Sequence, residues 1–448
     1  MKRSSSPLAV AVVGSGIAGL AAAWLLHRRH NVTLYEQDSK LGGHCNTVEI
    51  QGAGGNIAVD TGFIVYNTIN YPNLVALFEH LGVATHPSEM SFSVSLDGGG
   101  LEYAGTDLGG LLAQPANLLR PRFWAMVRDI VRFYRAAPGL LAGAEAGGLT
   151  LGQVLDRGGY SRAFAEDHLL PMGAAIWSST MADMREYPAA SFIRFFQSHG
   201  LLRLAGRPAW RTVSGGSRTY VARMSAALAG RIRLACPVRS VRRQPDGALV
   251  EERGGAVTRF DHVVLATHAD QALALLADAG SDEQRLLGSF RYAKNRAVLH
   301  SDPRLMPRRR RAWASWNYIG RSDAASAELC VTYWMNRLQG LDPGRDVFVT
   351  INPVHPPRAD LVLASFDYEH PGYDTAAAAA QQCLWTLQGA RRTWFCGAYF
   401  GAGFHEDALQ SGLAVAEALG GERRPWSVEN ESGRIVLAPQ RKAAEAAA

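Results

Sequence analysis

Val12-Val13-Gly14-Ser15-Gly16-Ile17-Ala18-Gly19-Leu20 stands near the start of the chain, followed by Val32-Thr33-Leu34-Tyr35-Glu36. An apolar strand, a G-x-G-x-x-G turn, a helix and a second strand ending in an acid together make a dinucleotide-binding unit. Gly14 permits the tight turn out of the strand, Gly16 lets backbone N–H groups approach a pyrophosphate, and Gly19 lets helix and sheet pack closely. The helix predicted from Ile17 and Ala18 to about His27 presents its positive N-terminus to the phosphates. Glu36 is placed to accept hydrogen bonds from ribose hydroxyls, and its charge disfavours a 2′-phosphate and so NADP.

The next turn, Leu41-Gly42-Gly43-His44-Cys45-Asn46-Thr47, brings a second glycine pair close to the pyrophosphate, as a long two-nucleotide cofactor needs. With this turn the chain resembles the flavin-dependent amine oxidase superfamily, which includes protoporphyrinogen oxidases and phytoene-type desaturases. Members carry the glycine fingerprint, an acid, and G-G-R-x-x-T soon afterwards. The resemblance implies FAD as cofactor. His44 stands where the family usually has arginine, so a titratable group replaces a permanent charge.

Later stretches extend the resemblance. Asp60-Thr61-Gly62-Phe63 is similar to a family segment that lies along the flavin, which implies Thr61 and Gly62 as neighbours of the ring. Ser214-Gly215-Gly216-Ser217, a helical stretch to Leu228 and a strand-like run from Ile232 to Val241 look like the return to the cofactor domain, with the Val238 backbone beside the adenine. Asp261 to Thr267 is similar to the following buried strand. Trp394-Phe395-Cys396-Gly397-Ala398, leading into Gly401-Ala402-Gly403-Phe404-His405-Glu406-Asp407, resembles the closing strand, loop and helix. A helix starting near Glu406 or Asp407 carries Ala408, Leu409, Leu413 and Ala416 on a buried side. With its N-terminus on the flavin edge it would stabilise reduced flavin's negative charge; the plainer reading is an amphipathic terminal helix with acids in its first turn.

Cofactor motifs at both ends and in the middle predict an α/β protein: a discontinuous Rossmann-type FAD-binding domain (residues 1–89, 206–275 and 376–425) with an inserted α+β substrate domain (90–205 and 276–375). Residues 426–448 read as a C-terminal tail, frayed at its Ala-rich end. With 448 residues, 47% of them hydrophobic, the chain can bury a large core. A net charge of +6 is small for this length, and no nucleic-acid module is visible. Five cysteines without C-x-x-C fit a reduced, cytoplasmic setting. Met1-Lys2-Arg3 and the apolar run behind it imitate a secretory signal, yet Gly14, Gly16 and Gly19 would break that hydrophobic helix. No run is long enough to span a membrane, and no His/Cys/acid set has metal-ligand spacing.

The first insertion reads mainly helical. Phe123, Val127, Ile130, Val131 and Tyr134 form one face there, opposed by Arg128, Arg132 and Arg135. Such a helix is either a surface helix with a solvated arginine face or one that lies on an anionic bilayer, so peripheral membrane contact is open. The Arg308–Arg311 run, followed by Trp313 and Trp316, offers the same choice between membrane contact and a charged hairpin loop.

Amine oxidases often use an aromatic cage and a lysine-held water. The resemblance makes Phe404 the counterpart of one cage tyrosine, and Lys294 in F-R-Y-A-K-N-R-A-V is the lysine candidate. Gly397-Ala398-Tyr399 lacks the acid that the family often sets against a ribityl hydroxyl, so that contact is missing or remade by the Tyr399 phenol. His405 is the leading candidate base; His199, His355 and the Tyr368-Glu369-His370 cluster are further polar candidates. Covalent flavin attachment through His44, Cys45 or Cys396 is conceivable. These departures, with many apolar residues in the candidate lining, predict a dehydrogenase or desaturase acting on a small apolar acyl-chain or isoprenoid-like molecule. Amine or amino-acid oxidase, redox-neutral flavoenzyme and non-catalytic flavin-binding partner stand as alternatives. The electron acceptor is left open.

Overall fold

The computed structural model describes residues 6–437 apart from residues 53, 204–205, 322–328 and 342–343. Ala9–Val13 is a fully apolar strand, and Asn31–Tyr35 and His262–Leu265 lie parallel on either side of it. Thr393–Phe395 adds to the far side of His262–Leu265, and Ile232–Arg233 closes the other edge, giving a five-stranded parallel sheet. A parallel sheet buried on both faces needs such continuous apolar strands. Its strands come from the start, middle and end of the chain, so the nucleotide unit is discontinuous.

Two helices lie on this sheet. Ile17–Leu26 is buried throughout, and His405–Ala418 is buried from Glu406 to Ala416. They cross at glycine: a Cβ on Gly412 would lie 2.2 Å from the Ala18 carbonyl oxygen. The run from Ile232 to Val241 is two strands rather than one. Ala235 takes a left-handed φ of 49°, and beyond it Val238–Gln244 leaves for a separate antiparallel sheet with Gly247–Glu252 and Val257–Phe260.

Over the nucleotide unit stands a seven-stranded sheet, in the order 362–372, 291–300, 348–351, 331–334, 316–320, 92–96 and 101–104. The first insertion therefore opens with strands before turning helical. Its long helix Pro121–Gly147 buries Phe123, Met126, Phe133 and Ala137, a stripe rotated from the expected one, which leaves Val127, Ile130, Val131 and Tyr134 half-buried. Arg128, Arg132 and Arg135 are exposed as expected.

The described part of the tail is not loose. Trp426 stacks on Trp24 at 6.1 Å, Ile435 is buried, and Arg434 donates to Asp407 at 2.6 Å. The remainder, 438–448, falls outside the described residues, as does the Ala-rich end expected to fray. Among the described residues no helix is long and apolar enough to cross a membrane.

Candidate functional site

The cleft is built around glycines. Gly14 turns at φ 100°, and a Cβ there would meet the Ala266 carbonyl oxygen at 2.7 Å. A Cβ on Gly19 would lie 1.9 Å from the Gly14 oxygen, so the helix sits directly on the turn. Gly16 differs: nothing lies within 4 Å of where its Cβ would be. Across that space stands Gly43, φ 55°, exposed, with its own virtual Cβ 3.4 Å from the Gly16 Cα. The helix beginning at Ile17 has no side-chain cap and no acid in its first turn. Its free N–H groups and the open space at Gly16 and Gly43 are what a pyrophosphate requires.

Glu36 is buried at the rim of this cleft. It accepts from the Ser15 amide (2.9 Å), the Ser15 hydroxyl (2.5 Å) and the Asp38 amide (2.9 Å). These bonds hold the carboxylate in place and leave lone pairs for ribose hydroxyls. The Cys236 amide donates to the Glu36 carbonyl at 2.9 Å, which brings the segment leading to Val238 alongside the acid. The start and the middle of the chain thus meet at one cleft, and the residues present fit FAD.

Gly62 lies against the second glycine turn, where its virtual Cβ would be 2.2 Å from the His44 carbonyl oxygen. The Thr61 hydroxyl is taken up by Asn46 (2.9 Å) and Tyr368 (2.8 Å). His44 stacks on Tyr368 at 5.0 Å, with His370 at 5.6 Å and His268 at 6.2 Å. Burial, with His268 beside it, pulls the His44 imidazole down to about 4. Without a cofactor beside it, His44 is thus held as a neutral ring.

The closing helix uses its acids internally. Glu406 accepts from the Asn73 amide (3.0 Å), the Asn73 side chain (2.8 Å), the Leu74 amide (3.0 Å) and Gln410 (3.0 Å). Asp407 accepts from the Phe404 amide (2.7 Å) and from Arg434. Neither carboxylate faces the cleft, so only the backbone of Glu406, Asp407, Ala408 and Leu409 is available to a flavin. Ala408 and Leu409 are buried against the nucleotide unit. Gly397 is held by Ser411, which accepts from its amide at 2.9 Å and donates to its carbonyl at 3.1 Å, and this sets the Gly397-Ala398 turn beside the helix.

The structure sorts the four catalytic candidates. Lys294 is exposed. On the strand Arg291–His300 it pairs with Glu369, whereas the next residue, Asn295, pairs with Tyr368 and points inward. Asn295 donates to His370 (3.0 Å) and to the Ser178 carbonyl (3.3 Å), and accepts from Asn352 (2.7 Å). Strand alternation thus turns Lys294 away from the Tyr368–His370 face, and the lysine role is withdrawn. Tyr399 packs into the core against Phe290 and Phe400, with its buried hydroxyl unpartnered among the described residues. A phenol enclosed in that way does not open on the cleft, so it does not remake the ribityl contact.

Phe404 and His405 remain at the cleft, both half-buried. His405 stacks on Phe63 at 3.9 Å and its Nε2 lies 2.5 Å from the Tyr220 hydroxyl, which also contacts the Cys45 thiol. Burial holds His405 down to about 3 and pushes Cys45 up to about 12, so both are neutral. Phe404 stacks on Phe195 at 4.6 Å and 24°, with Trp177 edge-on at 6.0 Å. Trp177 donates to the Ala402 carbonyl at 3.2 Å, tying this aromatic box to the closing loop. His199 lies against Phe195 at 3.8 Å. Its Nδ1 donates to the Phe195 carbonyl (2.9 Å), which leaves the lone pair on a buried, unpartnered Nε2, and burial lowers it to about 3.

Asp60 escaped the sequence reading as a structural hub. It is wholly buried and accepts from Thr47, the Ser217 amide and hydroxyl, and Gln339. It joins three segments far apart in the chain, a role that only tertiary contacts disclose. Among the described residues no group of three or more His, Cys, Asp or Glu is placed to hold a metal ion.

A discontinuous parallel sheet with an uncapped helix at a glycine turn, an acid at the ribose position and a second sheet above defines a flavoprotein of the dinucleotide-binding class. The family described as flavin containing amine oxidoreductases matches residues 17–304, and the chain belongs to it. It is an FAD-dependent oxidoreductase of the amine oxidase superfamily. A carotenoid phi-ring synthase of Streptomyces griseus is 32% identical over 295 residues, covering 60% of this chain. The match takes in 54% of that relative, so the chain spans about half its length. Solved structures share the fold at low identity. A CLA-producing fatty acid isomerase from P. acnes matches at a TM-score of 0.66 and 14% identity, covering 93% of this chain and 98% of that one. The cyclohexylamine oxidase of Brevibacterium oxydans matches at 0.64 and 16%, covering 92% and 99%.

Proposed function

We propose that this chain is a dehydrogenase or desaturase for an apolar substrate of acyl-chain or isoprenoid type. The observation that carries the reading is the stacking of Phe404 on Phe195. An amine cage needs two rings standing apart with room for a nitrogen between them. Here the ring at the cage position is in van der Waals contact with its partner, and phenylalanine replaces the family's tyrosine. The surrounding box of Trp177, Tyr187, Phe192 and Phe196 offers apolar surface and excludes water. The two carboxylates at the start of the closing helix, Glu406 and Asp407, are both engaged elsewhere and are not free to bind an amine's charge.

In this reading FAD supplies the two-electron acceptor. Glu36 holds the ribose, the glycine turns at 14–19 and 42–43 take the pyrophosphate, the backbone near Val238 meets the adenine, and the start of the closing helix serves the flavin edge. Phe404 and Phe195 orient the chain of the substrate by packing. Neutral His199 and His405 add no charge that would have to lose its water as an apolar chain enters. The names of the Streptomyces relative and of the fatty acid isomerase, both implying long apolar substrates, support the same class. The test is anaerobic mixing of the yellow protein with separate lipid, carotenoid and amine pools, followed by mass analysis. Bleaching of flavin absorbance by an apolar pool is expected; bleaching by simple amines alone overturns the reading.

A further inference from the structure

Leu108, Leu118, Leu119 and Trp124 are 76, 46, 88 and 47% exposed, and all four lie in one short stretch of the first insertion. They are presented by pinned backbone. The strand Leu101–Ala104 is the edge of the seven-stranded sheet, and the helix Leu108–Leu111 follows it directly. The turn Pro115–Leu119 is tied to the same strand: Asn117 donates to the Glu102 carbonyl (3.0 Å), and Gln114 and Arg120 donate to the Gly100 carbonyl at 3.1 and 2.6 Å. Trp124 donates to the Leu118 carbonyl at 2.9 Å, which fixes its indole beside the leucines.

The arginine run of the second insertion arrives at the same edge. Buried Glu102 accepts from the Arg308 amide (2.6 Å), the Arg309 amide (3.1 Å) and the Arg309 guanidinium (2.8 Å). Arg308 and Arg311 are exposed there. Arg128, Arg132 and Arg135 follow on the outer face of the long helix, whereas Arg122 is held in ion pairs with Asp167 (2.8 Å) and Glu166 (3.3 Å). From 105 to 135 the acids are Asp107 and Asp129. Asp107 caps the short helix through Gly110 at 2.7 Å, and Asp129 is buried, holds the Ser161 amide at 2.8 Å and lies 3.3 Å from Arg128 and 3.5 Å from Arg132, so those two arginines share one buried carboxylate.

We propose that this edge is a docking face for an anionic phospholipid bilayer, with Leu108, Leu118, Leu119 and Trp124 inserting and the arginines meeting lipid phosphates. Apolar tips with a tryptophan beside them suit the headgroup boundary, and the surrounding cations supply the second signal that stable peripheral binding needs. A second copy of the chain fits poorly. A two-fold contact would press two copies of the same arginine-rich surface, with Arg128, Arg308 and Arg311, onto each other. The inference goes beyond the substrate reading and does not depend on it.

The test is co-sedimentation of the FAD-loaded full chain with phosphatidylcholine vesicles, with and without phosphatidylglycerol. The protein is expected to pellet with anionic vesicles, less so at high salt. Leu119→Glu and, separately, Leu108→Glu should weaken that binding about ten-fold, and Arg311→Glu several-fold. Flavin absorbance and melting temperature should be unchanged in all three variants, because the altered side chains are exposed. Wild-type protein that stays in the supernatant with anionic vesicles overturns the proposal, as does a Leu119→Glu variant that pellets like wild type. A dimer in solution that Leu119→Glu dissolves would also overturn it, by giving the face to a second copy.

Discussion

The Glu406 carboxylate caps Asn73, accepting its backbone N–H at 3.0 Å and its side-chain amide at 2.8 Å across most of the chain's length. An acid at the start of the closing helix thereby satisfies the first turn of Pro72–Leu81, a helix with no side-chain cap of its own. Glu406→Ala leaves buried donors at Asn73 and Leu74 unpaired and should destabilise the protein by about 3 kcal/mol, whereas Glu406→Gln, which keeps an accepting oxygen, should cost about 1 kcal/mol. Denaturant unfolding of the two variants measures the difference. Equal losses would show that charge, and not capping, is what matters.

Gly16 separates cofactor binding from folding. Its backbone is at φ −60°, which any residue adopts, and the space beside it is open. Gly16→Ala should leave the stability of the flavin-free protein within about half a kcal/mol of wild type while weakening FAD binding at least about ten-fold. Titration of flavin-free protein with FAD reads the second effect. Gly19→Ala, by contrast, drives a methyl onto the Gly14 oxygen and should impair folding itself.

Lys294 and Asn295 test which residue of one strand serves the site. Lys294→Ala should leave flavin reduction by a bleaching substrate unchanged. Asn295→Ala removes bonds to His370, Ser178 and Asn352 and should lower stability by about 1–3 kcal/mol and slow reduction. Stopped-flow absorbance distinguishes them, and a Lys294 variant slowed as much as the asparagine variant would restore the lysine to the site.

Acid should unfold this protein early. Burial holds His168 and His199 down to about 3 and His300 to about 4, against an ordinary value of about 6.5. Between those limits the unfolded chain binds more protons, so stability is full above about pH 6.5 and falls as pH drops towards 4. At pH 5.5 each of these rings should cost on the order of 1 kcal/mol. Melting temperatures from pH 5 to 8 should rise to about pH 7 and then flatten; a curve level down to pH 5 would show that these imidazoles are not buried as neutral groups.

The cofactor half of the molecule was legible in the amino-acid order because its determinants are local. A turn at φ 100° admits little but glycine, an uncapped helix start follows it directly, and Glu36 ends the adjoining strand; each requirement acts within a few residues. The same holds for the closing helix, whose burial showed in its small residues. What lies between depends on contacts between distant segments. Asn295 rather than Lys294 faces the cleft because pairing with Tyr368 sets the strand's register, and no property of either residue reveals that. Glu406 and Asp407 were readable as helix-start acids, but that they face Asn73 and Arg434 follows from packing against Pro72–Leu81 and the tail. Phe404 was visible as the wrong residue for a cage; that Phe195 closes the gap beside it was decided by the helix that carries it from the first insertion. Backbone conformation and periodic burial are written into neighbouring residues, whereas the partner that each polar or aromatic side chain meets is selected only when the whole chain packs.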